Sequence, residues 1–470
     1  MTSLSAETLA ADAVEPITSA GNTQLGIAVL AGIAVIVLLI TKFKLHAFLA
    51  LTIGTLALGA FAGASLGDTI TSFSAGLGST VAGVGVLIAL GAILGKLLAD
   101  SGGADQIVDT ILSRASGRAM PWAMVLIASV IGLPLFFEVG IVLLIPVVLL
   151  VAKRGNFSLM RIGIPALAGL SVMHGLIPPH PGPLVAIDAI GADLGVTLAL
   201  GLVISIPTVI IAGPLFSRYA ARWVDIQPPE RMLQTLEKRE SESDGTDRRP
   251  SFGATVTTVL LPVVLMLVKA LVDIVVDDPE NQVQKVADVV GSPLIALLAA
   301  VLVGMFTLGR AAGFTKDRLA STVEKSFGPI AGVLLIVAAG GGFKQTLIDA
   351  GVGQMILDFS EDWSIPALLL GWLIAVAIRL ATGSATVATI SAAGLAAPLA
   401  ADMSTSHAAL LVLAIGAGSL FFSHVNDAGF WLVKEYFGMD VGQTIKTWSV
   451  METIISVVGL GFVMLLSLIL

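Results

Sequence analysis

Residues 162–183, IGIPALAGLSVMHGLIPPHPGP, begin as an uncharged apolar run and end in a proline cluster. Four prolines between Pro178 and Pro183 cannot continue a helix, because each removes an amide donor and clashes with the preceding turn. A second stretch behaves alike. Apolar 407–423 runs into His424-Val425-Asn426-Asp427-Ala428-Gly429. Both segments are apolar enough for a bilayer, and both breaks fall near mid-segment. Irregular backbone at that depth survives only when packed in protein or facing a watery cavity. Interrupted helices expose amides that attract anions and carbonyls that attract cations.

The surrounding composition fits a membrane. Of 470 residues, 56% are hydrophobic and 12% charged, about half the charged share of a soluble domain. The net charge of −8 leaves no basic surplus for phosphates, which excludes nucleic acid as a partner. No cysteine means no disulfide framework and no thiolate metal site, and five scattered histidines offer no metal centre. The fifty glycines indicate close helix packing in lipid.

Residues 23–41 carry no charge until the chain reaches Lys42, which is long enough to span about 30 Å of hydrocarbon. Residues 1–22 hold acids but no Lys or Arg, so the first span is expected to stay as an anchor behind an extracytoplasmic tail. Residues 217–250 hold seven basic and seven acidic residues and read as a cytoplasmic linker between transmembrane halves at 23–216 and 251–470. An outside N-terminus puts 21 of the 25 basic residues in the cytoplasm, and the opposite orientation inverts that ratio.

The halves echo each other. Shifted by 249 positions, Gly91, Leu98, Asp100, Gly102, Ile107 and Asp109 fall on Gly340, Leu347, Asp349, Gly351, Ile356 and Asp358, and at 250 His174 falls on His424. Each half then presents two short apolar arms around an unusual tip. The first has arms 119–133 and 139–152 around Pro134–Gly140; the second has 363–381 and 387–401 around Thr382–Thr386. First-half arms of about 15 residues reach only about 22 Å, short of a full span. The expected fold is therefore an all-α polytopic membrane protein. It has two inverted-topology repeats, each with a re-entrant helical hairpin and a broken transmembrane helix.

A few polar residues stand out. Glu138 is the only charge between Ala119 and Ala152. A carboxylate there costs roughly 2.5–3.5 kcal/mol to insert, which points to proton coupling or to pinning the tip. Asp427, beside Asn426, reads as a helix cap, a proton carrier, or both. His174, His180 and His424 flank the breaks and suit proton exchange or substrate hydrogen bonds. Gly383, Ser384 and Thr386 offer small size, hydroxyls and amides for a carboxylate and a polyol, while Thr389 and Ser391 read as packing residues. Arg379, one turn before that tip, either grips a substrate carboxylate or neutralises carbonyls at its own helix end. Gly340-Gly341-Gly342 lacks the Lys–Ser/Thr of a phosphate loop and reads as close packing.

The strings LGKLLADSGGA (94–104), FFEVGIVLLIP (136–146), SVMHGLIPPHPGP (171–183), RLATGSATVATI (379–390), SLFFSHVNDAGFW (419–431) and KTWSVMETIISV (446–457) resemble the gluconate permease family of gluconate:proton symporters, from about Thr41 onward. The second break has Asn-Asp-Ala-Gly where a proline before the glycine is the expected pattern. The resemblance implies a multi-pass cell-membrane protein, a homodimer, uptake of gluconate or a related sugar acid with H+, and no cofactor. The alternative is a sodium-coupled or exchange carrier for another small organic anion. An intramembrane enzyme is disfavoured, since no nucleophile elbow and no His-Glu-x-x-His pair supports it. A passive anion channel is the remaining rival.

Overall fold

The computed structural model describes residues 16–229, 248–276, 280–355, 365–425 and 427–470; the side chains of Thr41, Glu138 and Ile274 and all of Asn426 lie outside this described set. The regular structure of the described residues is all helical, with no strand among them. The first half runs α1 (Asn22–Thr41), α2 (Ala47–Ala62), α3 (Leu66–Asp100), α4 (Gly103–Leu112), α5 (Met120–Gly132), α6 (Phe137–Arg154), α7 (Leu159–Leu176), α8 (Pro181–Ile190) and α9 (Leu194–Trp223). The second runs α10 (Phe252–Val275), α11 (Gln282–Val290), α12 (Pro293–Arg310), α13 (Lys316–Asp349), α14 (Ala367–Thr382), α15 (Ala385–Ala396), α16 (Thr405–Ser419), α17 (Ala428–Phe437) and α18 (Val441–Ser467).

Among the described residues eight helical segments are long and apolar enough to cross a membrane. Their burial sorts them. The broken segment Leu159–Ile190 is 89% buried over its apolar window, against 28% for Asn22–Ile40 and 33% for Leu194–Trp223. In a bilayer the outer helices turn apolar side chains to lipid, as Leu30, Ile206 and Leu271 do here, and only a central segment is enclosed by protein on every side.

Each half carries a helical pair followed by a broken helix. The first pair is α5–α6. Its turn is shorter than the sequence implied: α6 starts at Phe137, so Glu138 belongs to its first turn and not to the tip. Pro134 ends the approach, while Lys153 and Arg154 sit favourably against the carbonyl end of α6. The second pair is α14–α15. Gly383 closes α14 in the left-handed region (φ 74°), which only glycine enters without a Cβ penalty. The Ser384 hydroxyl then accepts the Val387 amide at 3.3 Å, so α15 begins at Ala385 and takes Thr386 into its first turn.

The breaks follow local chemistry too. α7 ends at Leu176 and α8 restarts at Pro181, a residue suited to the first helical position. α16 ends at Ser419, and Asp427 caps α17 by accepting the Gly429 amide at 2.8 Å. α15 packs on α8, so the second hairpin meets the first break. α13 packs on α3, where a Cβ on Gly76 would stand 2.3 Å from the Gly341 carbonyl oxygen. The glycine triplet is thus a backbone contact.

The charged stretch after residue 216 begins as helix. α9 continues through Trp223, held where Arg161 Nη1 donates to the Pro214 carbonyl at 2.9 Å and to Ser217 Oγ at 2.5 Å. Residues 230–247, most of the expected linker, lie outside the described set.

Candidate functional site

The second hairpin and both breaks converge on a cavity of about 260 Å³. Three helices begin at its wall: α6 at Phe137, α15 at Ala385 and α17 at Ala428. Helix starts direct unpaired amides and the positive end of the backbone dipole outward, so their convergence favours an anion. Hydroxyls on the wall come from Ser171, Thr382 and Ser384, and apolar surface from Phe137, Leu420 and Trp448.

Arg379 organises one side. Its guanidinium is only 3% exposed; Nη1 donates to the Gly383 carbonyl at 2.6 Å, and Nη2 donates to and pairs with the Asp427 carboxylate. Asp427 also accepts from Ser423 Oγ and from the Gly429 amide. Ser423 in turn accepts from Trp448 Nε1 at 2.8 Å, and the Ser449 hydroxyl donates to its carbonyl. One chain of bonds therefore joins the hairpin tip, the second break and α18. Arg379 Nε is buried without a partner.

The histidines divide. His174 lies on the cavity wall, its Nδ1 unpartnered, with its ring 5.9 Å from that of Phe137. His180 is 4% exposed and bonds through Nε2 to the Gly132 carbonyl at 2.7 Å. His424 bonds through Nε2 to the Leu380 carbonyl at 3.3 Å. These two contacts match: in each half, a histidine of the break holds a carbonyl near the end of the hairpin's first arm.

Of the residues singled out from sequence, Arg379, Gly383, Ser384, Asp427 and His174 share this cavity. His180, His424 and Thr386 stand off its wall. Asn426 and the Glu138 side chain fall outside the described set. Sequence reasoning passed over Ser171, Thr382, Trp448 and Glu452. The signal for Glu452 was present, since it is the only charged residue from Thr447 to Leu470, the same pattern that drew notice to Glu138.

A bundle of membrane-length helices whose interrupted ends meet at a cavity carrying charged and hydroxyl side chains is the architecture of a multi-pass membrane transporter. Residues 25–469 match the GntP family permease. The chain belongs to that family, a group of permeases and not of enzymes, and sits in the cell membrane. The match starts within α1, earlier than the sequence strings alone implied. A gluconate permease of Pseudomonas aeruginosa is 48% identical, covering 93% of this chain and 96% of its own. A high-affinity gluconate transporter of Escherichia coli is 43% identical over 93% and 98%. An L-idonate transporter of the Gnt-II system, also from Escherichia coli, is 40% identical over 92% and 97%.

Two solved transporters share the fold at low identity. The YdaH transporter of Alcanivorax borkumensis aligns with a TM-score of 0.56 at 18% identity, covering 83% of this chain and 86% of that one. MtrF of Neisseria gonorrhoeae aligns at 0.61 and 16%, covering 85% and 83%.

Proposed function

We propose that this chain takes up gluconate or a related sugar acid by proton symport. The observation that carries the reading is the convergence of three helix N-termini on one hydroxyl-lined cavity. A sugar acid is a carboxylate joined to a polyol. Its carboxylate sits against the amides at the heads of α15 and α17, beside Gly383 and Ser384. Its hydroxyls bond Ser384, Asn426 and His174, with Thr382 and Ser171 within the same wall. Arg379 adds positive charge near the anion. His180, His424 and Thr386 shape the hairpin and the breaks around it. The gluconate and idonate specificities of the relatives above favour this substrate class.

The driving ion is H+, loaded on a carboxyl, with Glu138 and Asp427 the candidates the sequence nominates. The two halves act as inverted repeats within a homodimer, so that access alternates between membrane faces. Uptake by purified protein in proteoliposomes tests the reading. A panel of sugar acids is offered under an imposed pH gradient or an imposed Na+ gradient. Accumulation of gluconate or idonate under the pH gradient alone is expected; accumulation under Na+ alone makes the carrier sodium-coupled. Absence of trans-stimulation by unlabelled substrate makes it a channel.

A further inference from the structure

Glu452 is the one acidic side chain on this cavity wall, among the described residues, that is not committed to a salt bridge. It sits in α18, 1% exposed, and its Oε1 has no hydrogen-bond partner although it is fully buried. Its neighbour is the Ser171 side chain of α7, at the broken helix. Asp427, by contrast, is held by Arg379, Ser423 and the Gly429 amide at once. Three donors tie Asp427 into the structure, and releasing them would unfasten the hairpin tip from the second break. Glu452 keeps a single side-chain hydrogen bond, to Ser171, and its Oε1 is left open to take a proton.

We propose that Glu452 is the group that carries the coupling proton, loaded when the sugar acid occupies the cavity. This rests on the symport reading above. Arg379 and Asp427 cancel as a fixed pair, so a bound carboxylate contributes the cavity's one net negative charge when Glu452 is neutral. With Glu452 ionised, two anions would share one small cavity, and each would weaken the other's binding. Substrate and proton therefore favour each other's presence, and that linkage is what symport requires. The chemistry is a proton transfer alone. An O–H bond forms at Oε1 with a proton from water on one side and breaks to water on the other.

The groups facing Glu452 are few. Arg379 comes from α14, Asp427 from the head of α17 and His174 from α7. α9 presents no titratable side chain before Arg218, while α16 carries only His407, at its far end, and α18 itself only Lys446, almost two turns away. His174, whose buried Nδ1 has no partner, lies on the same wall.

The test is Glu452→Gln in proteoliposomes, with labelled gluconate as probe. The amide keeps the shape of the neutral acid and cannot release a proton. Accumulation driven by a pH gradient is expected to fall by about tenfold or more, while gradient-free exchange stays measurable and loses its pH dependence. Glu452→Gln that still accumulates gluconate with the wild-type pH profile overturns the assignment. If Glu452→Gln shows no exchange, Glu452→Asp decides, because it restores a titratable carboxyl at the same place. Recovery of coupled uptake supports the proposal, and loss in both variants overturns it as a packing position. Wild-type protein that neither binds nor exchanges a sugar acid defeats the substrate reading, and this assignment with it. Coupled uptake by Glu452→Gln defeats the assignment alone.

Discussion

Arg379 and Asp427, 48 residues apart, pair directly and join two helix interruptions. The same guanidinium holds the Gly383 carbonyl, where α14 ends, while the same carboxylate caps the start of α17. One ion pair thus closes the negative end of one helix onto the positive start of another.

Removing one partner of this buried pair is expected to be costly. Arg379→Met leaves Asp427 unpaired and destabilises by about 3–5 kcal/mol, the usual cost of orphaning a buried charge. Arg379→Met/Asp427→Leu restores part of that loss. Thermal unfolding of the purified variants measures both, and transport is expected to be lost in each. A single variant as stable as wild type would show that the pair is not a structural clamp.

Ser384 has two separable roles. As the cap of α15, its replacement by Ala costs about 1 kcal/mol. Ser384→Leu is expected to abolish uptake at near wild-type folded levels, since a bulky apolar side chain would occupy the anion's approach to the amides. Uptake assays beside melting temperatures distinguish the two, and normal transport by the Leu variant would move the binding site off this tip.

Gly341 and Gly78 offer a matched pair on the α3–α13 contact and near it. A Cβ on Gly341 would lie 2.1 Å from Thr80 Oγ1 and 2.6 Å from the Gly76 carbonyl oxygen, whereas one on Gly78 meets nothing within 4 Å. Gly341→Val is expected to destabilise by about 1–3 kcal/mol through overpacking. Gly78→Ala is expected to be neutral or slightly stabilising. Melting temperatures of both variants check the contrast.

The carboxyls nominated from sequence are tested by Glu138→Gln and Asp427→Asn under a pH gradient. Asp427→Asn weakens the Arg379 pair and is expected to lower stability and transport together. Gradient-driven accumulation lowered more than exchange in Glu138→Gln would move the coupling proton from Glu452 to Glu138. Wild-type accumulation and pH dependence in Glu138→Gln would make Glu138 a structural residue of α6.

Orientation follows from the basic residues. Reporters fused after Arg239 and after Arg318 are expected to read cytoplasmic, and one after Asp402 extracytoplasmic. A cytoplasmic signal at Asp402 would break the inverted arrangement of the two halves.

Much of the architecture is written locally. Pro178 to Pro183 stop a helix wherever they fall, Gly383 tolerates a positive φ that a Cβ would resist, and Ser384 and Asp427 cap because their oxygens reach amides two or three residues on. Long uncharged runs need a bilayer whatever their neighbours, so class, spans and interruptions could be read from the sequence alone. Element edges were less legible. The start of α6 at Phe137 moved Glu138 from a tip into a helix, although Phe137-Glu138-Val139-Gly140 is a weak helix former, because packing against α7 overrides local propensity.

What the tertiary structure decided was which polar groups meet. The choice between two roles for Arg379 turned on a partner 48 positions away, and the histidines separated into one on the cavity wall and two tied to hairpin carbonyls. Glu452 stood out in the sequence as a lone charge, but its place on the cavity wall was decided only when α18 packed beside the broken helix and brought it near Ser171. Caps and breaks are set by neighbours within one turn. A cavity is set by side chains that chain folding brings together, and their partnerships carry no signature in local spacing.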